Sequence, residues 1–243
     1  MPIHSDSVQN QSKTDYAGVD ELWANENFLK KYSADTVAKL SKYAKDKPEV
    51  LEFGAGIGTL AQLWHAATGI KPECLEIDES LRTLLREREL YCYESLDAIH
   101  KTFDVIYTSN VLEHIEDDVA ALKSLHAKLK PGGIIAIYVP AFMCLYSELD
   151  AAIGHYRRYE KAELIRKLEL ANFKIKECCF ADSIGFFAWL SMKFKGYRND
   201  QKLGSGKSLA IYDKYLWPLS RLLDGIGLRF LFGKNLLVIA EKA

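Results

Sequence analysis

The chain has 243 residues, 49% of them hydrophobic, and a formal net charge of −1. This is enough apolar material for one sizeable core, and a single domain (1–243) is the default for an α/β chain of this length. The near-zero charge argues against a nucleic-acid partner, which would call for a basic footprint. The five cysteines (Cys74, Cys92, Cys144, Cys178, Cys179) lack CxxC pairing or ordered spacing, so neither a disulfide framework nor a zinc site is expected, and free thiols fit a reducing cytoplasm.

Residues 1–19 read as a loose polar tail, and Met1 to Lys13 has no apolar core that would mark a secretory leader. Leu29, Tyr32, Val37, Leu40 and Ala44 follow helical spacing and predict a helix over roughly 26–45, closing the N-terminal segment 1–47. Pro48 ends it. Strands and helices then alternate through a core spanning 48–181. Val50 to Phe53 is a strand, Thr59 to Ala67 a helix, Cys74 to Ile77 a strand and Leu81 to Glu87 a helix. Short strands at Tyr91–Tyr93 and Phe103–Tyr107 follow. A helix marked by Val119, Leu122, Leu125 and Leu129 stops at Pro131-Gly132-Gly133, ahead of an apolar strand from Ile134 to Val139. The run Ile134 to Tyr146 is too short to cross a bilayer and is interrupted by Pro140. Leu164, Ile165 and Leu168 give another helix, Phe173 to Phe180 a sixth strand and Asn235 to Ala240 the last, in segment 235–243. Repeated strand–helix units imply a mainly parallel, Rossmann-like sheet of the α/β class, with helices on both faces and ligands at the carboxyl ends of the strands.

The first strand runs into Glu52-Phe53-Gly54-Ala55-Gly56-Ile57-Gly58. Alternate glycines permit a tight turn and close approach of bare main chain to a ligand, and the next helix offers free N–H groups. A plain strand-to-helix turn would look similar. The dinucleotide fingerprint G-x-G-x-x-G fails, because its third glycine falls on Thr59. At the second strand tip stands Leu75-Glu76-Ile77-Asp78, an acid about 20 residues past the loop, where a ribose diol would sit. Tyr93-Glu94-Ser95-Leu96-Asp97 follows the third strand. Asn110-Val111-Leu112-Glu113-His114 follows the fourth, and Leu129-Lys130-Pro131-Gly132-Gly133 precedes the fifth.

These five segments in this order resemble the class I S-adenosylmethionine (SAM) dependent methyltransferases, over roughly residues 48–181 and the final strand. The resemblance implies a seven-stranded sheet with an antiparallel last strand and SAM as the cofactor. It implies that Glu52, Gly54, Ala55, Gly56 and Gly58 form the cofactor loop. Glu76 would take the ribose, with Asp78 as fallback, and Ile77 would pack on the adenine face. Ser95, Leu96 and Asp97 would read the adenine edge. Asn110, Val111 and His114 would stand near the methionine part. Some related quinone-pathway enzymes use an acid together with a Glu-His pair as a metal site, and here Ser109 or Asn110 stands at the position of the acid. Here Glu113-His114 supplies only two ligands, so no metal is expected.

The loop after the fifth strand carries Tyr146 and then Gly154-His155-Tyr156-Arg157-Arg158-Tyr159. An imidazole, two guanidinium groups and phenols at the end of a central strand suit an acceptor site. His155 is the candidate general base. Arg157 or Arg158 would hold an anionic group, with Tyr146 and Tyr156 beside it. A loop tied down by Arg–carboxylate pairs to Glu148 or Asp150 is the alternative. The G-H-Y-R-R-Y run resembles a bacterial subgroup linked to glycan or glycolipid pathways.

Residues 182–234 form an insertion before the last strand, with a net charge of +5 against −6 elsewhere and ten of the 28 aromatic residues. Helices are expected around Ile184–Ser191 and from Ser208 to about Asp224, divided or bent at Pro218. The insertion covers the sheet, and its basic, aromatic character also suits a membrane surface or an amphiphilic acceptor. Gly204-Ser205-Gly206-Lys207-Ser208 lacks the glycine that phosphate-loop spacing requires. The expected activity is methyl transfer from SAM to a small-molecule or lipid-linked acceptor, at oxygen, in the cytoplasm or peripherally at the inner membrane face. A catalytically idle SAM-binding module and an NAD-dependent oxidoreductase are the alternatives.

Overall fold

The structure, a computed structural model, describes residues 18–195 and 206–243. Most of the polar tail expected over 1–19, and the first part of the glycine-serine stretch at 204–208, lie outside the described residues. Seven strands form one sheet: β1 (Val50–Phe53), β2 (Glu73–Leu75), β3 (Cys92–Tyr93), β4 (Phe103–Ser109), β5 (Leu129–Pro140), β6 (Phe173–Ala181) and β7 (Asn235–Lys242). Their order is β3-β2-β1-β4-β5-β7-β6, and only β7 runs against its neighbours. The order reverses between β1 and β4, which opens a crevice at their carboxyl ends.

The helices are α1 (Val19–Phe28), α2 (Lys30–Leu40), α3 (Thr59–Thr68), α4 (Glu79–Glu87), α5 (Asp118–Ala127), α6 (Glu148–Ala152), α7 (Lys161–Leu170), α8 (Ser183–Lys195), α9 (Gly206–Ile211) and α10 (Trp217–Gly225). Side chains alternate across each strand, so the central strands feed two cores. Ile106, Ile135 and Ile137 pack with Leu122, Leu125, Leu164 and Leu168 on one face. Val105, Tyr107 and Tyr138 pack with Val37, Leu40, Trp64 and Trp217 on the other.

Three elements differ from the sequence expectation. The helix expected over 26–45 is two helices, broken at Leu29 (φ −112°, ψ 48°), and α1 starts at Val19 within the expected tail. None of its residues is fully buried, so it carries no apolar period to read. β5 begins at Leu129 and runs through Pro131-Gly132-Gly133, with an irregular register opposite Phe103 and Val105. In the insertion, a π-helical turn (Tyr212–Leu216) joins α9 to α10, and Pro218 sits in the first turn of α10. Pro218 has no N–H to give the Lys214 carbonyl, which accepts instead from Lys31 Nζ at 3.5 Å.

The insertion is tied down by two long-range caps. Asp213 accepts from the Lys31 and Tyr32 amides of the first α2 turn at 3.0 and 2.9 Å. Asp224 accepts from the Asp182 and Ser183 amides at the start of α8, at 2.9 and 3.2 Å. Both carboxylates are buried. Each satisfies amides that helix geometry leaves unpaired and favours the positive helix end. Replacing Asp213 with Ala should cost about 1–2 kcal/mol in denaturant unfolding. An unchanged midpoint would mean the cap adds nothing.

Candidate cofactor and acceptor site

β1 ends at Phe53 and the chain turns through Gly54 at φ +77°, a left-handed conformation that penalises any Cβ. A Cβ there would also meet the Val111 methyl carbons at 2.4 and 2.8 Å. Gly54, Ala55 and Gly56 line a cavity of about 1300 Å³. Ordinary ligand pockets hold roughly 300–1,000 Å³, so this one has room for two molecules side by side. Gly58 is not in the cavity wall. Its φ of +84° starts α3, and a Cβ there would strike Leu85 and Leu90 at 2.7 and 2.8 Å, so it serves close packing behind the loop.

Glu52 is buried and lines the cavity. It accepts from the Tyr107 hydroxyl at 2.9 Å, and burial pushes its carboxyl up to about 8. Glu76 stands at the tip of β2. Its Oε2 accepts from the Gly56 amide at 2.8 Å and its Oε1 from the Asp78 amide at 3.0 Å. A carboxylate has about four lone-pair sites, so hydroxyl donors can still be received from the cavity side. Asp78 also lines the cavity, but its carboxylate caps α4, accepting from the Ser80 and Leu81 amides at 2.9 and 3.1 Å. Arg82, which the sequence did not suggest, pins this turn by donating to the Glu76 and Ile77 carbonyls at 3.1 and 2.6 Å. Ile77 lines the cavity with 79% of its surface exposed, an apolar plate facing open space.

Ser95, Leu96 and Asp97 stand outside the cavity wall. β3 is two residues long, and after it the chain curls inward. Leu96 packs against the core, and Ser95 Oγ accepts from the Ala98 amide at 3.3 Å. Asn110 (φ +53°), Val111 and His114, at the end of β4, do line the cavity.

The other end of the cavity centres on His155. Its Nδ1 lies 2.9 Å from Asp150 Oδ1, and its Nε2 lies 3.8 Å from Glu113 Oε1. The Tyr146 hydroxyl donates to the His155 carbonyl at 2.7 Å. Asp150 also accepts from Arg158 Nε and from the Ser147 amide and hydroxyl at 2.8–2.9 Å. Burial works against its charge, but the hydrogen bonds from His155 and Arg158 hold it at about 2. Glu113 is fully buried, and neither of its oxygens has a hydrogen-bond partner. Burial pushes its carboxyl up to about 8. At neutral pH Asp150 is therefore ionised and Glu113 protonated. The His114 ring meets that of His155 edge-on at 4.6 Å, and burial, then His155, lowers His114 to about 4. Glu113, His114 and His155 bring ligand atoms within 4.8 Å of one another. The sequence showed only two of these groups together, and folding adds the third.

Arg158 is almost fully buried, pairs with Asp150 at 2.8 Å and lies 4.7 Å from the Trp189 ring centre. It lines the cavity, and its Nη1 has no hydrogen-bond partner. Tyr156 lines the cavity and is exposed. Arg157 and Tyr146 are not in the wall. Arg157 pairs with Asp118 at 2.8 Å and donates to the Glu116 carbonyl, and Tyr146 is spent on the His155 backbone.

Several wall residues carry no sequence signal. Glu21 of α1 is pushed up to about 7 by burial, with Asp150 adding to the shift. Lys234 lies 5.0 Å from the Tyr32 ring centre and 5.6 Å from that of Trp189, with Asp182 at 3.6 Å. These come from the N-terminal helices and the insertion, which fold over the carboxyl ends of the strands.

A family model described as a methyltransferase domain matches residues 25–178. The chain belongs to this family, the class I SAM-dependent methyltransferases, with S-adenosylmethionine as the cofactor. An uncharacterized methyltransferase of Schizosaccharomyces pombe is 32% identical over 149 residues, covering 54% of this chain and 51% of that protein. A probable S-adenosylmethionine-dependent methyltransferase of Mycolicibacterium smegmatis is 27% identical over 151 residues, covering 57% and 55%. The chain thus spans about half the length of the curated relatives it matches. The crystal structure of a SAM-dependent methyltransferase from Archaeoglobus fulgidus shares the fold, with a TM-score of 0.61 at 18% identity over 91% of this chain and 99% of that one.

The wall fits the cofactor: a cradle that a Cβ would fill, a carboxylate at the second strand tip and an apolar plate beside it. Gly54→Ala should weaken S-adenosylhomocysteine binding about 10–100-fold in calorimetry, since strain of roughly 1–3 kcal/mol falls on the loop. An unchanged Kd would remove the loop from the site. Glu52→Gln tests the buried acid. The folded carboxyl sits near 8 against an ordinary 4.5, so its ionisation costs stability as pH rises through that window. The Tm gain from Gln should therefore be larger at about pH 9 than at about pH 5. Equal gains would contradict the raised value.

Proposed function

We propose that this chain transfers the SAM methyl group to an oxygen of a small or amphiphilic acceptor, with His155 as general base. The observation that carries the proposal is His155, which lines the same cavity as the glycine loop, backed by the buried Asp150 carboxylate at 2.9 Å from its Nδ1. SAM supplies the electrophilic methyl group. The glycine loop, Glu76, Ile77 and Asn110 hold and orient it. An ionised Asp150 favours the imidazole tautomer with the proton on Nδ1, leaving the Nε2 lone pair to take a hydroxyl proton. Asp150 also stabilises the cation that results. Arg158 acts twice in this scheme: it fixes Asp150, and its unpaired Nη1 is left to hold a polar or anionic group of the acceptor. Tyr156 lines the same end. A cavity larger than one cofactor needs, with Trp189 and Met192 of α8 in its wall, suits a glycan or a lipid-linked acceptor.

One observation favours a second reading. The orphaned oxygens of Glu113, grouped with His114 and His155, could instead hold a divalent cation that activates the acceptor. Turnover that survives EDTA supports the base, and loss restored by Mg²⁺ or Mn²⁺ supports the cation.

The test is incubation of the chain with labelled SAM and a lipid and small-metabolite extract, with mass spectrometry of the product. His155→Ala should lower turnover about 10²–10⁴-fold with SAM affinity retained. Unchanged turnover would remove His155 from the chemistry. Tight S-adenosylhomocysteine binding with no product would favour the idle SAM-binding module.

A further inference from the structure

The helical run from α9 to α10 carries two stripes. Asp213, Trp217, Ser220 and Asp224 recur every three or four residues and are buried against the body of the protein. On the other side Ile211, Tyr215, Leu219, Leu222 and Ile226 recur at the same spacing, and they are 46–72% exposed. A surface helix ordinarily turns polar side chains to that face. The 3₁₀ turn that follows continues the pattern with exposed Phe230 and Leu231. Exposed Phe187 of the neighbouring α8 joins it, its ring packed on Phe232 at 5.4 Å. So large a run of exposed apolar side chains marks an interaction surface.

The charges that this segment itself exposes have one sign, and one of them, Arg221, pairs with Asp35 of α2 at 2.9 Å. Lys207, Lys214, Arg221 and Arg229 are exposed between the apolar positions. From 206 to 234 the only acids are Asp213 and Asp224, both buried and both committed to helix caps. The Lys214 and Arg229 heads lie 4.9 and 5.0 Å from the ring centres of Tyr215 and Phe230, so cation and aromatic ring share one outward edge. Among the described residues no helix is long and apolar enough to cross a membrane.

We propose that this face of α9–α10 and the following 3₁₀ turn docks on an anionic lipid bilayer, lying in its interface rather than spanning it. The apolar stripe enters the acyl boundary, and the lysine and arginine heads meet lipid phosphates. The inner side of the same segment (Leu209, Tyr212) walls the cavity, so docking brings the acceptor end beside the membrane. That consequence rests on the acceptor proposed above, whereas the docking does not.

The test is co-sedimentation of the full chain with phosphatidylglycerol–phosphatidylcholine vesicles. Binding is expected at low salt, weakened by added salt and reduced on phosphatidylcholine alone. Leu222→Glu with Ile226→Glu should lower it at least about tenfold, with the circular dichroism spectrum and S-adenosylhomocysteine affinity unchanged. Lys214→Glu with Arg229→Glu should lower it on anionic vesicles only. Failure of the wild-type chain to bind anionic vesicles at low salt would overturn the proposal. So would a lipid-free dimer in analytical ultracentrifugation that Leu222→Glu splits, since a second copy would then own the face.

Discussion

The Glu76 carboxylate holds two strand ends in one place. By accepting from the Gly56 amide it ties the β1 turn to the β2 tip, and by accepting from the Asp78 amide it shapes the turn into α4. Arg82 closes the tie from behind through the Glu76 and Ile77 carbonyls. Without it, bare main chain, acid and apolar plate would not face one crevice.

Over this floor the N-terminal helices and the insertion form a roof. Glu26 of α1 grips Arg88 at 2.7 and 2.9 Å, and Leu22 sits above Gly56. Asp213 and Asp224 secure the insertion by capping α2 and α8. Carboxylates buried in this way are stable because backbone amides supply their donors. Among the described residues of the insertion this leaves no acid exposed, so one set of residues both fastens the roof and sets the sign of its outer face.

Inside, two carboxylates flank one imidazole in opposite states. Asp150 is ionised because donors surround it, and Glu113 is protonated because burial gives it none. Environments that separate paired acids in this way assign roles to them. Asp150 is the group that positions His155, and Glu113 Oε1 stands 3.8 Å from its Nε2.

The alternation of strands and helices, the glycine loop and the acid at the β2 tip were legible in the sequence. Each depends on neighbours a few positions apart: apolar period, left-handed glycine, helix start. The reach of β5 back to Leu129 and the helix at Val19 were not legible, because ladder pairing and cavity walls leave no local period. Sequence spacing could not choose between Glu76 and Asp78. The fold spends the Asp78 carboxylate on a helix cap and sets that of Glu76 on the Gly56 and Asp78 amides. It likewise turned Arg157 onto Asp118, kept Arg158 at the cavity, drew Leu96 into the core and brought Glu21 and Lys234 to one wall from opposite ends of the chain. Backbone conformation is written over a few residues, whereas which side chains share a buried volume depends on packing between segments far apart in the chain.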